Sequence, residues 1–286
     1  MRYLLELLCH FWEARFLYIY CLTRKGGLCM IKLNNVTSGY MGVNIIKNIS
    51  LSFENGKIIS IIGKNGCGKT TLLKTASKII EPFSGDILLN GKNLFDMTSK
   101  ETARIISYLP QNRDIPNIRV YDLVMHGRFP YLGFPRIPAY EDKIKVQEAL
   151  HMLGIEKYKN KNIRELSGGQ RQKVYIAMVL AQDTDIVFLD EPTTYLDINH
   201  QLEILEIVKD LKLMGKTVVM VIHDLNSALT FSDMVCLMDK GEIKIYDKPQ
   251  VVYESGKIEE IFNVKCHEVG ASDKYEKQYI FSYMSA

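Results

Sequence analysis

The sequence predicts an α/β fold in three parts: a core where parallel strands alternate with helices, an antiparallel β subdomain, and an inserted helical subdomain. Three observations carry this. Short β-branched runs at 57–62, 185–190 and 217–222 end in glycine or polar residues, and the first is followed directly by a helical pattern, the rhythm of strand and crossover helix. Residues 31 to about 95 instead hold a partly alternating segment, 45–53, and a hairpin-like segment, 84–91. From about 113 to 165 the pattern is helical, without a core strand.

Composition sets compatible bounds. A chain of 286 residues, 47% hydrophobic and 24% charged, can bury a substantial core and suits one two-lobed domain, here expected over 30–286. The net charge of +3 is not gathered into a basic run, which gives no support to nucleic-acid binding. Cys9, Cys21, Cys29, Cys67, Cys236 and Cys266 show neither metal-ligand spacing nor a disulfide framework, as expected of reduced cytoplasmic thiols.

Taken in order, the first informative element is the strand 57–62, which runs into Gly63-Lys64-Asn65-Gly66-Cys67-Gly68-Lys69-Thr70-Thr71. This fits G-x-x-x-x-G-K-[ST], a loop whose backbone N–H groups turn inward around the β- and γ-phosphates of a nucleotide. Lys69 adds a point charge and Thr70 a hydroxyl for Mg²⁺. The helix expected over 71–80, ended by Pro82, points its positive end at the same anion. Cys67 sits beside that helix start and Lys69, where a thiol pKa can be depressed, although a small space-filling role is the plainer expectation.

Past the helical stretch, Asp185-Ile186-Val187-Phe188-Leu189 is an apolar strand ending at Asp190 and Glu191. Ligands of open parallel sheets bind at the carboxyl ends of strands. Asp190 is therefore expected to hold Mg²⁺, through water. Glu191 is then positioned to polarise an attacking water, a role that contributes roughly 10²–10⁴-fold in rate. These parts make a P-loop ATPase core that uses ATP and Mg²⁺. Further on, 217–222 reads as a strand ended by His223, 234–245 as a hairpin with a Lys-Gly turn, and the tail as a helix near 258–262 with an edge strand.

Leu166-Ser167-Gly168-Gly169-Gln170-Arg171-Gln172 carries a resemblance. It resembles the signature of the ATP-binding cassette (ABC) superfamily, and the likeness covers nearly everything from Met30 onward. Ser167 can cap a helix over 170–182, and the N–H groups near Gly168 and Gly169 form an anion site. The resemblance implies that Ser167, Gly168, Gly169 and Gln170 bind the γ-phosphate of ATP held by a second copy of the cassette. It also implies roles for Gln111, in Tyr108-Leu109-Pro110-Gln111, reaching Mg²⁺ and water, and for His223, a switch on the γ-phosphate. Tyr40 would stack adenine, and Asp197 would lie at the dimer interface. Cys67 and Tyr195 depart from the residues most frequent at their positions.

A cassette without a membrane span implies a separate integral-membrane permease. Residues 120–131, with Gly127-Arg128-Phe129-Pro130, resemble the importer group for ferric siderophores, haem and cobalamin, and so do Asp247-Lys248-Pro249 and Ile261-Phe262-Asn263-Val264. The expected protein is the peripheral ATPase on the cytoplasmic face of the membrane, served indirectly by an external substrate-binding protein. Zinc or manganese importers are the nearest competitors, and a non-transport cassette ATPase is the alternative from another class. The rings of 120–134 (Tyr121, Phe129, Tyr131, Phe134), with Leu132, are expected to seat the permease.

Residues 1–29 hold apolar runs interrupted by Glu6, Glu13 and Arg15, too short to span a bilayer. Two readings follow: an interfacial amphipathic helix, or translation that begins at Met30. The second is favoured because a cassette needs nothing before the strand that Ile31 opens. A chain starting at Met30 should then match the full chain in melting temperature and nucleotide affinity, and a drop of several degrees in calorimetry would make residues 1–29 part of the fold.

Overall fold

The computed structural model describes residues 30–111, 113–194, 196–270 and 277–283, so the expectations for 1–29 and Tyr195 lie outside the described residues. The strands are β1 (Ile31–Tyr40), β2 (Val43–Phe53), β3 (Ile58–Gly63), β4 (Ser84–Leu89), β5 (Lys92–Asn93), β6 (Ile106–Leu109), β7 (Ile186–Asp190), β8 (Thr217–Val221), β9 (Met234–Asp239), β10 (Glu242–Asp247), β11 (Val264–Val269) and β12 (Gln278–Tyr283). The helices are α1 (Lys69–Ala76), α2 (Ser99–Ala103), α3 (Val120–Met125), α4 (Tyr140–Met152), α5 (Gly168–Ala181), α6 (Ile198–Leu213), α7 (Leu225–Phe231), α8 (Pro249–Glu254) and α9 (Lys257–Phe262).

The β-branched runs form the central sheet because both of its faces are buried. Its order is β10-β9-β3-β8-β7-β6, parallel except for the β9–β10 hairpin. Alternate residues serve opposite layers: Val187 and Leu189 of β7 face the layer of α5, α6 and α7, while Ile186 and Phe188 face the layer that contains α1. Strands buried on two faces read as continuous apolar runs, which is why 57–62 and 185–190 show no alternation.

The second layer is closed by the antiparallel sheet β2-β1-β4-β5. Phe53 of β2 meets Phe188 of β7 edge to face, with ring centroids 6.0 Å apart, so the α1 layer is filled from both sheets. The two sheets are also stitched at the Lys240-Gly241 turn. There Gly241 N–H donates to the Cys67 carbonyl at 3.1 Å, and the Gly241 carbonyl accepts from Lys47 N–H at 2.8 Å.

Two expectations need correction. Helix α1 ends at Ala76, short of Pro82, because Lys78 takes a left-handed backbone (φ 63) and Ile79 N–H closes onto the Lys74 carbonyl. An αL residue one or two positions past a helix end is a common stop, and here it precedes the proline. Among the described residues the tail holds two helices and a two-stranded sheet, β11–β12, where one helix and an edge strand were expected. Val251-Val252 masks α8 by its β-branching, yet Pro249 at the helix start presets the first turn.

Helices α3, α4 and α5 pack on one another, and the segment joining α3 to α4 is fastened from inside. Arg128, 7% exposed, donates to Asp142 Oδ1 of α4 at 2.9 Å and to the Ala181 carbonyl of α5 at 2.8 Å. The Tyr131 ring lies 3.9 Å from the same guanidinium. Removing one partner of such a buried pair is far more harmful than replacing both. Asp142→Ala should lower unfolding stability by about 3–5 kcal/mol in urea denaturation, whereas Arg128→Met with Asp142→Leu should recover most of it. A loss under about 1 kcal/mol for the single change would mean that water, not burial, governs the pair.

Candidate nucleotide site

The phosphate loop is the turn from the end of β3 into α1. Gly68 sits at the helix start with φ 105, and a Cβ there would lie 2.8 Å from Ile46 Cγ2, so neither the backbone nor the space admits a side chain. Lys64, Asn65 and Gly66 form the exposed lip, and Cys67, Gly68 and Lys69 are buried beneath it. Lys69 folds across its own loop: Nζ donates to the Gly63 carbonyl at 2.7 Å and to the Lys64 carbonyl at 3.1 Å. Thr71 is buried behind this turn.

Burial raises the Cys67 thiol pKa, and the neighbouring Lys69 only partly opposes it. The space-filling reading therefore holds over the depressed pKa, because desolvation outweighs the nearby charge. Cys67 is a packing residue that is 4% exposed.

Strand β7 delivers the two carboxylates into two adjoining hydrogen-bond clusters. Asp190 is fully buried and accepts from Thr70 Oγ1 on Oδ1 and from the Tyr108 hydroxyl on Oδ2, each at 3.0 Å. Desolvation raises its pKa, and the two hydroxyl bonds only partly oppose this. Tyr108 is itself pushed well above its usual range, first by burial and then by the Asp190 charge, so it remains a donor.

Glu191 occupies the second cluster. Its Oε2 accepts from Gln111 Nε2 at 2.6 Å and from Thr194 Oγ1 at 3.0 Å, and its Oε1 lies 2.5 Å from His223 Nε2. Its backbone is left-handed, with φ 52, a conformation that costs a non-glycine residue about 1–3 kcal/mol and recurs at functional sites. Gln111 and His223 come from the segments just beyond β6 and β8, the strands that flank β7. The structure thus brings Thr70, Asp190, Gln111, Glu191 and His223 together at one sheet edge.

Other expected site residues lie apart from that centre. Ser167 caps α5, which starts at Gly168, two residues before its expected start; its hydroxyl accepts from Gln170 N–H while Gln170 Oε1 accepts from Ser167 N–H. Asp197 caps α6, with Oδ1 taking His200 N–H at 2.9 Å and facing His200 Nδ1 at 2.7 Å. The two helix starts are neighbours: a Cβ on Gly169 would come within 2.7 Å of the His200 ring. Tyr40 ends β1 with its ring 45% exposed.

A serine-capped, glycine-opened helix that makes its bonds within its own turn, combined with this phosphate loop and carboxylate pair, is a specific constellation. Residues 46–194 match the family model described as ABC transporter. The chain belongs to the ABC transporter family. It is an ATP-binding subunit of that family and an ATPase. The iron(3+)-hydroxamate import ATP-binding protein of Bacillus subtilis strain 168 is 43% identical over 74% of this chain and 81% of its own. The achromobactin transport ATP-binding protein of Dickeya dadantii strain 3937 is 38% identical over 82% of this chain and 88% of its own. A bacterial ABC transporter cassette solved as a dimer is 30% identical and superposes with a TM-score of 0.68, covering 77% of this chain and 98% of its own. Among the described residues of the ABC chain no helix is long and apolar enough to cross a membrane.

Two contacts on the carboxylates were not read from sequence. Tyr108 holds Asp190, and its signal was its place near the end of the strand paired with β7. Thr194 holds Glu191 from three residues beyond it, a short-range pattern too common in turns to single out.

Proposed function

We propose that this ABC subunit powers import of ferric siderophores or chelates of the same kind, haem and cobalamin included. The observation that carries the reading is the likeness, over most of both chains, to subunits named for iron(3+)-hydroxamate import and achromobactin transport. The subunit works with a membrane permease and pairs with a second cassette. In this reading it lies peripherally on the cytoplasmic face, and an external binding protein presents the chelate.

The chemistry follows from the two clusters. When ATP enters, Lys69 exchanges two carbonyl partners for phosphate oxygens, a charge-assisted gain over neutral acceptors. The backbone N–H groups of Gly63, Lys64, Asn65, Gly66, Cys67 and Gly68, with Thr71, complete the cradle, and Tyr40 offers its exposed ring to adenine. Thr70 and Asp190 present two hard oxygens side by side, the donor chemistry that suits a Mg²⁺ holding few protein ligands. Thr70 and Asp190, with Gln111 in reach, would hold a Mg²⁺, and the ion would supply neutralisation of the phosphate charge. Glu191 takes the proton of the attacking water once Gln111 and His223 turn toward the γ-phosphate. Ser167, Gly168, Gly169 and Gln170, with Asp197, meet the nucleotide of the second copy.

The geometry also refines the permease-docking segment. Leu132 is buried and Tyr121 packs against the core; Tyr131 is half-buried against Arg128 and Arg104. Leu132 is internal, contrary to the expectation from 120–134, while Tyr121 and Tyr131 are half-buried, Tyr131 against the inward-turned Arg128. Phe129 and Phe134 remain outside, joined by Ile137 and Tyr140, at 40, 100, 72 and 79% exposure. Such a cluster of exposed apolar side chains suits a protein partner.

Three outcomes test this reading. Glu191→Gln should keep ATP affinity and lose more than about 99% of turnover while a two-nucleotide dimer accumulates in size-exclusion chromatography; Lys69→Ala should lose phosphate binding itself. Turnover at the unmodified rate in Glu191→Gln removes the assigned base. Phe129→Glu with Phe134→Glu should leave the isolated subunit folded and ATP-competent but uncouple transport; an unfolded subunit would make those rings core. In proteoliposomes with the permease and binding protein, ferric hydroxamate should stimulate hydrolysis, and stimulation by free zinc or manganese instead would overturn the cargo class.

A further inference from the structure

The amide of Gln172 bridges two catalytic segments from a helix that belongs to neither. Gln172, 8% exposed in the second turn of α5, donates through Nε2 to the Pro192 carbonyl at 2.5 Å and accepts on Oε1 from Arg113 Nη2 at 2.8 Å. Pro192 directly follows Glu191, and Arg113 lies two residues beyond Gln111. Gln111 and Glu191 are themselves bonded at 2.6 Å, so the contacts close a ring: Gln111, Glu191, Pro192, Gln172, Arg113 and back along the chain.

The chemistry of this ring singles out glutamine. A guanidinium only donates and a proline carbonyl only accepts, so the residue between them must present one acceptor and one donor. A primary amide does this in one orientation only. Glutamate would set an oxygen against the Pro192 carbonyl, and leucine would leave both partners buried and unbonded.

Arg113 is held lightly for a buried cation. Among the described residues its partners are a neutral amide and the Tyr175 ring, 4.5 Å from the guanidinium carbon, and Nη1 is buried without a hydrogen bond. Desolvation lowers its pKa to about 10, partly offset by Tyr175. Tyr175 also donates to the Asp114 carbonyl at 2.8 Å, so two successive residues of this segment are tied to α5. A neutral acceptor bonds a cation less strongly than a carboxylate does, so the tie can be exchanged at moderate cost.

We propose that Gln172 is a positioning residue that makes the hydrolytic centre of a cassette and the signature turn at the start of α5 move as one unit. The proposal rests on the reading that Glu191 drives hydrolysis in an ATP-bound dimer. Gln111 must leave Glu191 before that carboxylate can serve water. Its departure carries Arg113 with it, and Gln172 passes the displacement along one helical turn to Ser167 and Gly168. The reverse holds as well: engagement of the signature with a second copy's nucleotide fixes Pro192, and with it the left-handed backbone of Glu191.

A double-mutant cycle in the full chain tests the proposal, using Gln172→Leu, Arg113→Leu and both together, with Glu191→Gln as control. Gln172→Leu should lower kcat about tenfold or more while KM for ATP stays within about twofold, the split expected when an interaction acts on the reacting arrangement and not on nucleotide affinity. The double variant should be no slower than the slower single variant. Gln172→Glu, which keeps the Arg113 bond alone, should fall between Gln172→Leu and the unchanged chain, and so keeps the test usable should Gln172→Leu fold poorly. In the Glu191→Gln background, Gln172→Leu should raise the protein concentration needed for ATP-driven dimerisation several-fold. A folded Gln172→Leu with unchanged kcat, losses that multiply in the double variant, or slowing that merely tracks a lower melting temperature would each overturn the proposal. Unchanged turnover in Glu191→Gln would instead remove the reading on which it rests.

Discussion

Two neighbouring carboxylates at the end of β7, both buried, are stabilised by hydroxyls, an amide and an imidazole. A carboxylate out of water must be satisfied by hydrogen bonds or neutralised. Here each oxygen of Asp190 and Glu191 has a partner; apart from Thr194, which follows Glu191 in its own turn, those partners come from α1, from β6 with the residues just after it, and from the residues just after β8. The demand for satisfaction therefore fixes where three separate stretches of chain must end. Parallel pairing of β6, β7 and β8 meets it, because parallel strands put their carboxyl ends on one edge.

This explains which parts were legible in the sequence. The phosphate loop, the Asp190-Glu191 pair and the Ser167 cap are local: their chemistry is set by residues adjacent in the chain, so spacing alone exposes them. The buried strands were legible for a related reason, since burial on two faces leaves an unbroken apolar run. Tyr108, Gln172 and Arg113 were not, because each acts on a residue about 20 to 80 positions away and its type is common in unrelated settings. The aromatic segment 120–134 was legible only as a composition. Which rings face inward depends on Arg128 finding Asp142 and Ala181, a tertiary event with no local signature.

The Cys67 and α1 outcomes share a cause. In both, a local tendency met a stronger tertiary term: a lysine and a helix start would depress the thiol pKa, but burial prevails. A proline would end the helix, but Lys78 turns first. Both outcomes favour close packing of α1 between the sheets, where Leu72, Leu73 and Ala76 are fully enclosed.

The Lys240-Gly241 turn has a mechanical consequence. By bonding to the Cys67 carbonyl and receiving Lys47 N–H, it clamps the nucleotide cradle to strands of both sheets. The floor of the cradle is thereby tied by backbone bonds to both sheets, while its lip at 64–66 stays in reach of solvent. Helix α5 packs on the central sheet through its apolar face, and beyond that face single side-chain bonds, those of Gln172 and Arg113, join it to the segments around Gln111 and Pro192. One chain thus contains an anvil clamped by backbone bonds and, beside it, a linkage made of single side-chain bonds.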